Sequence, residues 1–209
     1  MKVLVACEYS GVVRDAFLDC GCQAVSCDLL PSESDRGEHY KGDVRDILND
    51  GWDMLIAFPP CTYLTAAGAV RMYPGGKLNF SRYLKGLEAA DFFRLMLSGS
   101  DISRVCVENP RPMRIFNLPP CSQVVQPFEF GEPYSKRTYL WLQNLPRLKP
   151  TCRVRGVESC RVADWFNKGG KDRQKKRSKT FAGIAAAMAS QWSDVSRLPP
   201  VTRQTFLEV

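Results

Sequence analysis

The apolar runs of this chain are interrupted in one recurring way: each is short, stops at a polar or proline-containing signature, and gives way to apolar residues at helical spacing. Residues 2–7 form the first run and lead into Glu8-Tyr9-Ser10-Gly11, after which residues 12–18 follow a helical period. A second run, 23–27, ends on Asp28 and is followed by a polar loop over 31–38. Residues 42–47 lead into a third run, 52–58, which Pro59-Pro60 stops because proline has no amide to give a sheet. A Gly-rich loop over 73–77 precedes a helical pattern from about Ser81 to Leu97, and a fourth run, 104–107, ends on Glu108-Asn109-Pro110. Strands alternating with helices predict an α/β, Rossmann-like architecture. It is an open, mostly parallel sheet with helices on both faces and ligands at the carboxyl ends of the strands.

The second half is less regular. Residues 123–130 and 136–142 read as strands joined through Gly131-Glu132-Pro133-Tyr134-Ser135, a possible closing hairpin. The region 146–179 has weak periodicity and carries Lys168, Lys171, Arg173, Lys175, Lys176, Arg177 and Lys179, whereas residues 180–192 return to a strong helix. The expected organisation is one catalytic domain, 1–145 with 178–195, a short basic insertion at 146–177, and a poorly ordered tail at 196–209.

Composition narrows the function classes. No apolar stretch is long enough to cross a bilayer, and the N-terminus lacks a signal-peptide pattern, so a cytoplasmic protein with no membrane partner is expected. Nine cysteines, an odd number with no CxxC pair, read mostly as reduced core thiols. Cys121, Cys152 and Cys160 are irregularly spaced and His39 is remote, so no metal is expected. A net charge of +7 suits a polyanionic partner, because Lys and Arg displace counterions from phosphates.

Four strand-end features occur in one chain order: Cys7-Glu8-Tyr9-Ser10-Gly11, Asp28, Pro59-Pro60-Cys61 and Glu108-Asn109-Pro110. A turn after the first strand lets helix amides approach a ligand, and an acid after the second can accept both ribose hydroxyls of a nucleoside. The first turn holds a single glycine, Gly11, instead of GxGxxG, so a cofactor without a pyrophosphate is favoured. S-adenosyl-L-methionine (SAM) fits that description.

These residues resemble the C5 cytosine DNA methyltransferases. Pro60-Cys61-Thr62-Tyr63-Leu64-Thr65-Ala66-Ala67-Gly68 is similar to that family's nucleophile loop, and Glu108-Asn109 is similar to its Glu-Asn motif. Residues 131–141 resemble its arginine strand, and Phe181-Ala182-Gly183-Ile184-Ala185 stands where the family has a terminal helix that closes the SAM pocket. Departures are Thr62 after the cysteine, Pro110 after Glu-Asn, Cys7 and Glu8 in the first turn, and Gly183 without a following Asn.

The resemblance implies a Rossmann-like SAM-dependent methyltransferase fold and a covalent mechanism on cytosine. Cys61 would add to C6, Glu108 would hold N3 and the exocyclic amine, and Arg137 would favour the thiolate or hold O2. Lys136 is the alternative cation if the strand is aligned one residue away. The cofactor set implied is Cys7, Glu8, Tyr9, Ser10, Gly11, Asp28, Asp43, Pro59 and Gly183. Thr65 and the basic residues Lys168, Lys171, Arg173, Lys175, Lys176 and Arg177 would meet DNA, most simply a duplex with the cytosine flipped out. The space available for target recognition is small, so weak specificity or a very short site is expected, as in a small phage-like member that protects viral or mobile-element DNA. Rival readings are a non-catalytic decoy of the same fold, or C5 modification of RNA or of free cytosine nucleotides. Amino-group methylation ranks lower, since Phe58 in Phe58-Pro59-Pro60-Cys61 cannot accept a hydrogen bond from an amine.

Overall fold

Successive residues of each central strand point to opposite faces of one sheet, and because both faces are covered the central strands are buried almost throughout. The computed structural model describes residues 1–159, 178–194, 196 and 198–201. The sheet strands are β1 (Lys2–Ala6), β2 (Gln23–Asp28), β3 (Glu38–Lys41), β4 (Met54–Ala57), β5 (Arg104–Asn109), β6 (Gln123–Val125) and β7 (Thr138–Gln143). The longer helices are α1 (Val12–Asp19), α2 (Ala69–Met72), α3 (Phe80–Ser98) and α4 (Ala182–Trp192).

Strand order is 3-2-1-4-5-7-6. The strands β1 to β5 are mutually parallel, and β7 runs antiparallel between β5 and β6. This is an open, mostly parallel, Rossmann-like sheet with helices on both faces, and the α/β expectation holds. Val3, Val5, Met54, Ile56, Cys106 and Leu140 face α1 and α4, meeting Val13, Phe17, Ile184, Met188 and Trp192. Leu4, Ala6, Leu55, Ala57, Val105, Val107 and Trp141 face the other way, onto Ala90, Phe93 and Met96 of α3. Each aliphatic side chain buried this way stabilises the fold by about 1.5–3 kcal/mol. No helix among the described residues is long and apolar enough to cross a membrane.

Three expectations need correction. The loop expected to reach Glu38 gives way there to an edge strand, β3, whose Glu-His-Tyr-Lys sequence shows no apolar alternation because only β2 pairs with it. The strand expected over 123–130 stops at Val125, where Pro127 starts a 3-10 turn with Glu129 in a capping box. The insertion expected from residue 146 begins as part of the body. Leu148 is buried, Gln123 exchanges two 2.8 Å hydrogen bonds with its backbone, and the Trp192 indole donates to the Pro146 carbonyl at 3.0 Å. Leu198, in the expected tail, is likewise packed against the core.

Gly183 sits at the tightest of these junctions. A Cβ there would lie 1.8 Å from the Phe130 carbonyl oxygen, while its amide faces the Glu132 carboxylate at 3.4 Å. It lets α4 approach the segment after β6. Gly183→Ala is expected to cost about 1–3 kcal/mol by overpacking, which for a chain of this size lowers Tm by roughly 2–10 °C. An unchanged thermal unfolding curve would refute that tight packing.

Candidate active site

The polar signatures gather at the carboxyl ends of β1, β2, β4 and β5, where the parallel ladders place them in neighbouring positions. Ala57 is the partner of Val107, so Phe58-Pro59-Pro60-Cys61 leaves the sheet beside Glu108 and Asn109, the last two residues of β5. Asn109 is fully buried, and its side-chain amide donates to the Pro59 carbonyl at 3.0 Å, tying the end of β5 to the loop after β4. That loop is fixed at further points. The Ala66 amide donates to the Arg111 carbonyl and the Met113 amide to the Leu64 carbonyl, both at 2.8 Å, and the Arg82 guanidinium donates to the Thr62 carbonyl at 2.6 Å. The Cys61 carbonyl accepts the amides of Leu64 and Thr65. Cys61 is half-buried, carries no disulfide, and is held on a support that leaves its backbone little freedom.

Beside this loop lies a narrow cleft lined by Phe58, Glu108, Lys136, Thr138, segment 178–181, Ile184 and Met188. Burial pushes the Glu108 carboxyl above the ordinary carboxylate range, and Lys136 opposes that shift. The Lys136 ammonium lies 5.6 Å from the centre of the Phe181 ring, which in turn packs near Tyr134. The cation facing Glu108 is therefore Lys136, the alternative in that strand, and Arg137 does not line the cleft. Lys136, just before β7, and Thr138, its first residue, both line the cleft, while Arg137 between them is exposed. The cleft has room, about 20 Å³, for a water and not for a pyrimidine ring. Cys61, two residues beyond the anchored Pro59, stands outside the lining of this closed cleft.

The first turn does not present free helix amides. Cys7 has φ 58° and Gly11 φ 77°, and this left-handed path folds the Glu8 carboxylate back over the start of α1. There it accepts the amides of Val13 at 2.7 Å and Arg14 at 3.3 Å, and the Ser10 hydroxyl at 3.1 Å. Glu8 and Ser10 thus cap α1, correcting the expectation that these amides meet a ligand. Burial raises the Glu8 carboxyl despite these hydrogen bonds. Burial also pushes the Cys7 thiol up to about 12, helped by Asp28, Cys27 and Asp43 nearby. One Asp28 oxygen accepts the Leu30 amide at 2.9 Å, and the other has no partner among the described residues. Asp43 is committed to Arg45, whose side chain and amide hold its carboxyl at about 2.

Tyr9 reaches Ser178 with its hydroxyl at 3.1 Å, and Lys179 pairs with Glu33. Segment 178–181 therefore links the β1 and β2 loops to the Glu108 cleft, a connection that sequence alone did not suggest. Thr65 caps the 3-10 turn over Ala66–Gly68 by accepting the Ala67 amide. Lys168, Lys171, Arg173, Lys175, Lys176 and Arg177 lie outside the described residues. Among the described residues, no group of three or more His, Cys, Asp or Glu side chains is placed to hold a metal ion.

No protein-family profile and no curated protein matches the chain. Among solved structures, the Entamoeba histolytica methyltransferase EhMeth aligns at TM-score 0.44 and 10% identity, over 82% of this chain and 61% of that one. A mutant of Spodoptera frugiperda DNMT2 aligns at TM-score 0.34 and 14% identity, over 76% of this chain and 54% of that one. The chain thus spans less than two thirds of either.

Proposed function

We propose that this protein transfers a methyl group from SAM to C5 of cytosine in a nucleic acid through a transient Cys61 adduct. The observation that carries the reading is the pairing of Cys61, on a loop clamped by Asn109, with Glu108, a carboxyl raised by burial at the neighbouring strand end.

The residues at the β1 and β2 ends fit a nucleoside cofactor without phosphates. The Glu8 carboxylate occupies the amides on which a pyrophosphate would rest, so an anion there meets like charge. Asp28 keeps one oxygen for a ribose hydroxyl, and the exposed Leu29 and Leu30 offer apolar surface to an adenine. When bound, SAM supplies a methyl group on a positively charged sulfur.

Cytosine C5 is a poor nucleophile until C6 is attacked. The Cys61 thiolate forms a bond to C6, and the C5–C6 double bond becomes an enamine whose electrons lie on C5. The protonated Glu108 carboxyl donates to N3 and stabilises the charge developing there, and burial favours that protonated form by raising the carboxyl above its ordinary range. Lys136 limits how far that carboxyl is raised. Once C5 carries the methyl group, a base takes the C5 proton and the C6–S bond breaks, releasing the thiolate and restoring the ring.

Transfer of labelled methyl from SAM to duplex DNA, single-stranded DNA, RNA and dCMP tests the reading, with the product nucleoside identified by mass. 5-Methylcytosine in a polymer is expected. N4-methylcytosine, or no transfer to any of the four despite measurable SAM binding, would overturn it.

A further inference from the structure

A second cavity opens on the far side of the nucleophile loop and shares no lining residue with the Glu108 cleft. It measures about 230 Å³ and is lined by Tyr63, Arg71, Asn79, Ser81, Arg82 and Lys85. That is below the ~300 Å³ at which small-molecule pockets begin, so it suits a single group more than a whole cofactor. Three of its six residues are cations. The Arg82 guanidinium stacks 4.8 Å from the centre of the Tyr63 ring, and the Lys85 ammonium lies 5.8 Å from the same ring. Among the described residues none of the three pairs with a carboxylate. The sequence accounts for this: no Asp or Glu occurs between Asp53 and Glu88, while Arg71, Lys77, Arg82 and Lys85 all fall in that interval.

Three like charges around one cavity repel one another, and only an anion relieves that repulsion. The donors are varied enough to surround a tetrahedral oxyanion: a planar guanidinium fork, an ammonium and the Ser81 hydroxyl. The cavity is also joined to the chemistry. Arg82 donates to the Thr62 carbonyl, one residue after Cys61, so a group seated here lies against the support of the nucleophile. Val70, Phe80 and Leu84 expose apolar side chains on the same stretch of chain, at 82%, 64% and 45%, a mixture of cationic and apolar surface that suits sugars and bases beside phosphates.

We propose that this cavity seats a backbone phosphate of the strand that carries the target cytosine, which makes the substrate a polymer and not a free nucleotide. The proposal rests on the cytosine reading for the identity of the base but not for the phosphate contact itself. It assigns nucleic-acid binding to Arg71, Arg82 and Lys85.

The test is fluorescence anisotropy with the full chain and a labelled cytosine-containing duplex, titrated over salt. The proteins compared are the wild type, Arg71→Ala/Lys85→Ala and Arg71→Lys/Lys85→Arg; both positions are exposed, and SAM binding and thermal unfolding confirm that each variant is folded. For the alanine pair the slope of log K against log salt should become shallower by roughly 1–2, with at least a tenfold loss of affinity near 0.1 M salt. The charge-keeping pair should retain the wild-type slope. Unchanged slope and affinity in the alanine pair would overturn the proposal, as would an equal weakening of dCMP competition, which would assign the cavity to a monomer's own phosphate. Binding is read without methyl transfer. A protein that methylates no cytosine yet shows the slope change loses the functional reading and keeps the phosphate site, and the converse result does the opposite.

Discussion

Cys61→Ser should reduce methyl transfer by at least on the order of 10³-fold, the scale on which enzymes lose activity when a covalent nucleophile is removed. Serine preserves size and hydrogen bonding, and the loop is held by backbone contacts and by Asn109, so the variant should unfold at the wild-type temperature and bind SAM normally. The sharper form of the experiment uses DNA containing 5-fluorocytosine. With fluorine at C5 there is no proton for a base to remove, so the C6–S bond cannot break after methylation. The wild type should then accumulate a species whose mass equals protein plus oligonucleotide plus one methyl group, with the crosslink mapping to Cys61. An adduct that persists in Cys61→Ser, or that maps to exposed Cys20 or Cys152, would refute the assignment.

The second large effect is expected at Glu108. Replacing it with glutamine should lower kcat by about 10²–10⁴-fold, the usual contribution of a positioned acid. The pH profile carries its signature. The folded-state value is raised, so the carboxyl stays protonated above the ordinary range near 4.3 and ionises only at higher pH. Activity that needs the proton holds below the raised value and falls as pH climbs through it. The same sign applies to stability: ionising a buried Glu108 costs folding free energy, so its stabilising effect is full at low pH and is lost as pH rises. Lys136 pulls the value down, and Lys179 is the other cation lining the cleft. Lys136→Met should therefore move the alkaline limb of the wild-type profile to higher pH, whereas Arg137→Met should leave it in place. A limb that moves with Arg137 and not with Lys136 would reverse the assignment made from the structure.

The contrast between those two neighbours shows what a sequence can and cannot disclose. The strands β1, β2, β4 and β5 were legible because each is an apolar run ended by a polar or proline stop, and their carboxyl ends located Asp28, Cys61 and Glu108. The helix α3 was anticipated to within a residue at each end. The strand β3 was not, because an edge strand gains its register from one neighbour and needs no apolar side chain. Lys136 was within reach: the run 136–142 reads as a strand, Thr138 and Leu140 are buried on one of its faces, and a period of two carries that side back to 136. The role of Glu8 was not within reach, since it depends on left-handed backbone at Cys7 and Gly11 that turns an acid onto its own helix. The basic cavity had a signal, the acid-free interval from 54 to 87, but it becomes a site only when Arg82 folds back beneath Thr62.

The environment of Cys7 bears on chemical selectivity. Two half-exposed thiols stand at the carboxyl edge, and an enzyme that handles an electrophilic methyl donor there risks alkylating the wrong one. Burial, reinforced by Asp28, Cys27 and Asp43, pushes the Cys7 thiol up to about 12, which keeps it protonated at neutral pH. The thiolate is the reactive form, so under the proposed function the burial of Cys7, reinforced by the acids beside it, would protect it from self-methylation. Burial is the largest cause and Asp28 only adds to it, so substituting Asp28 would weaken that protection without removing it.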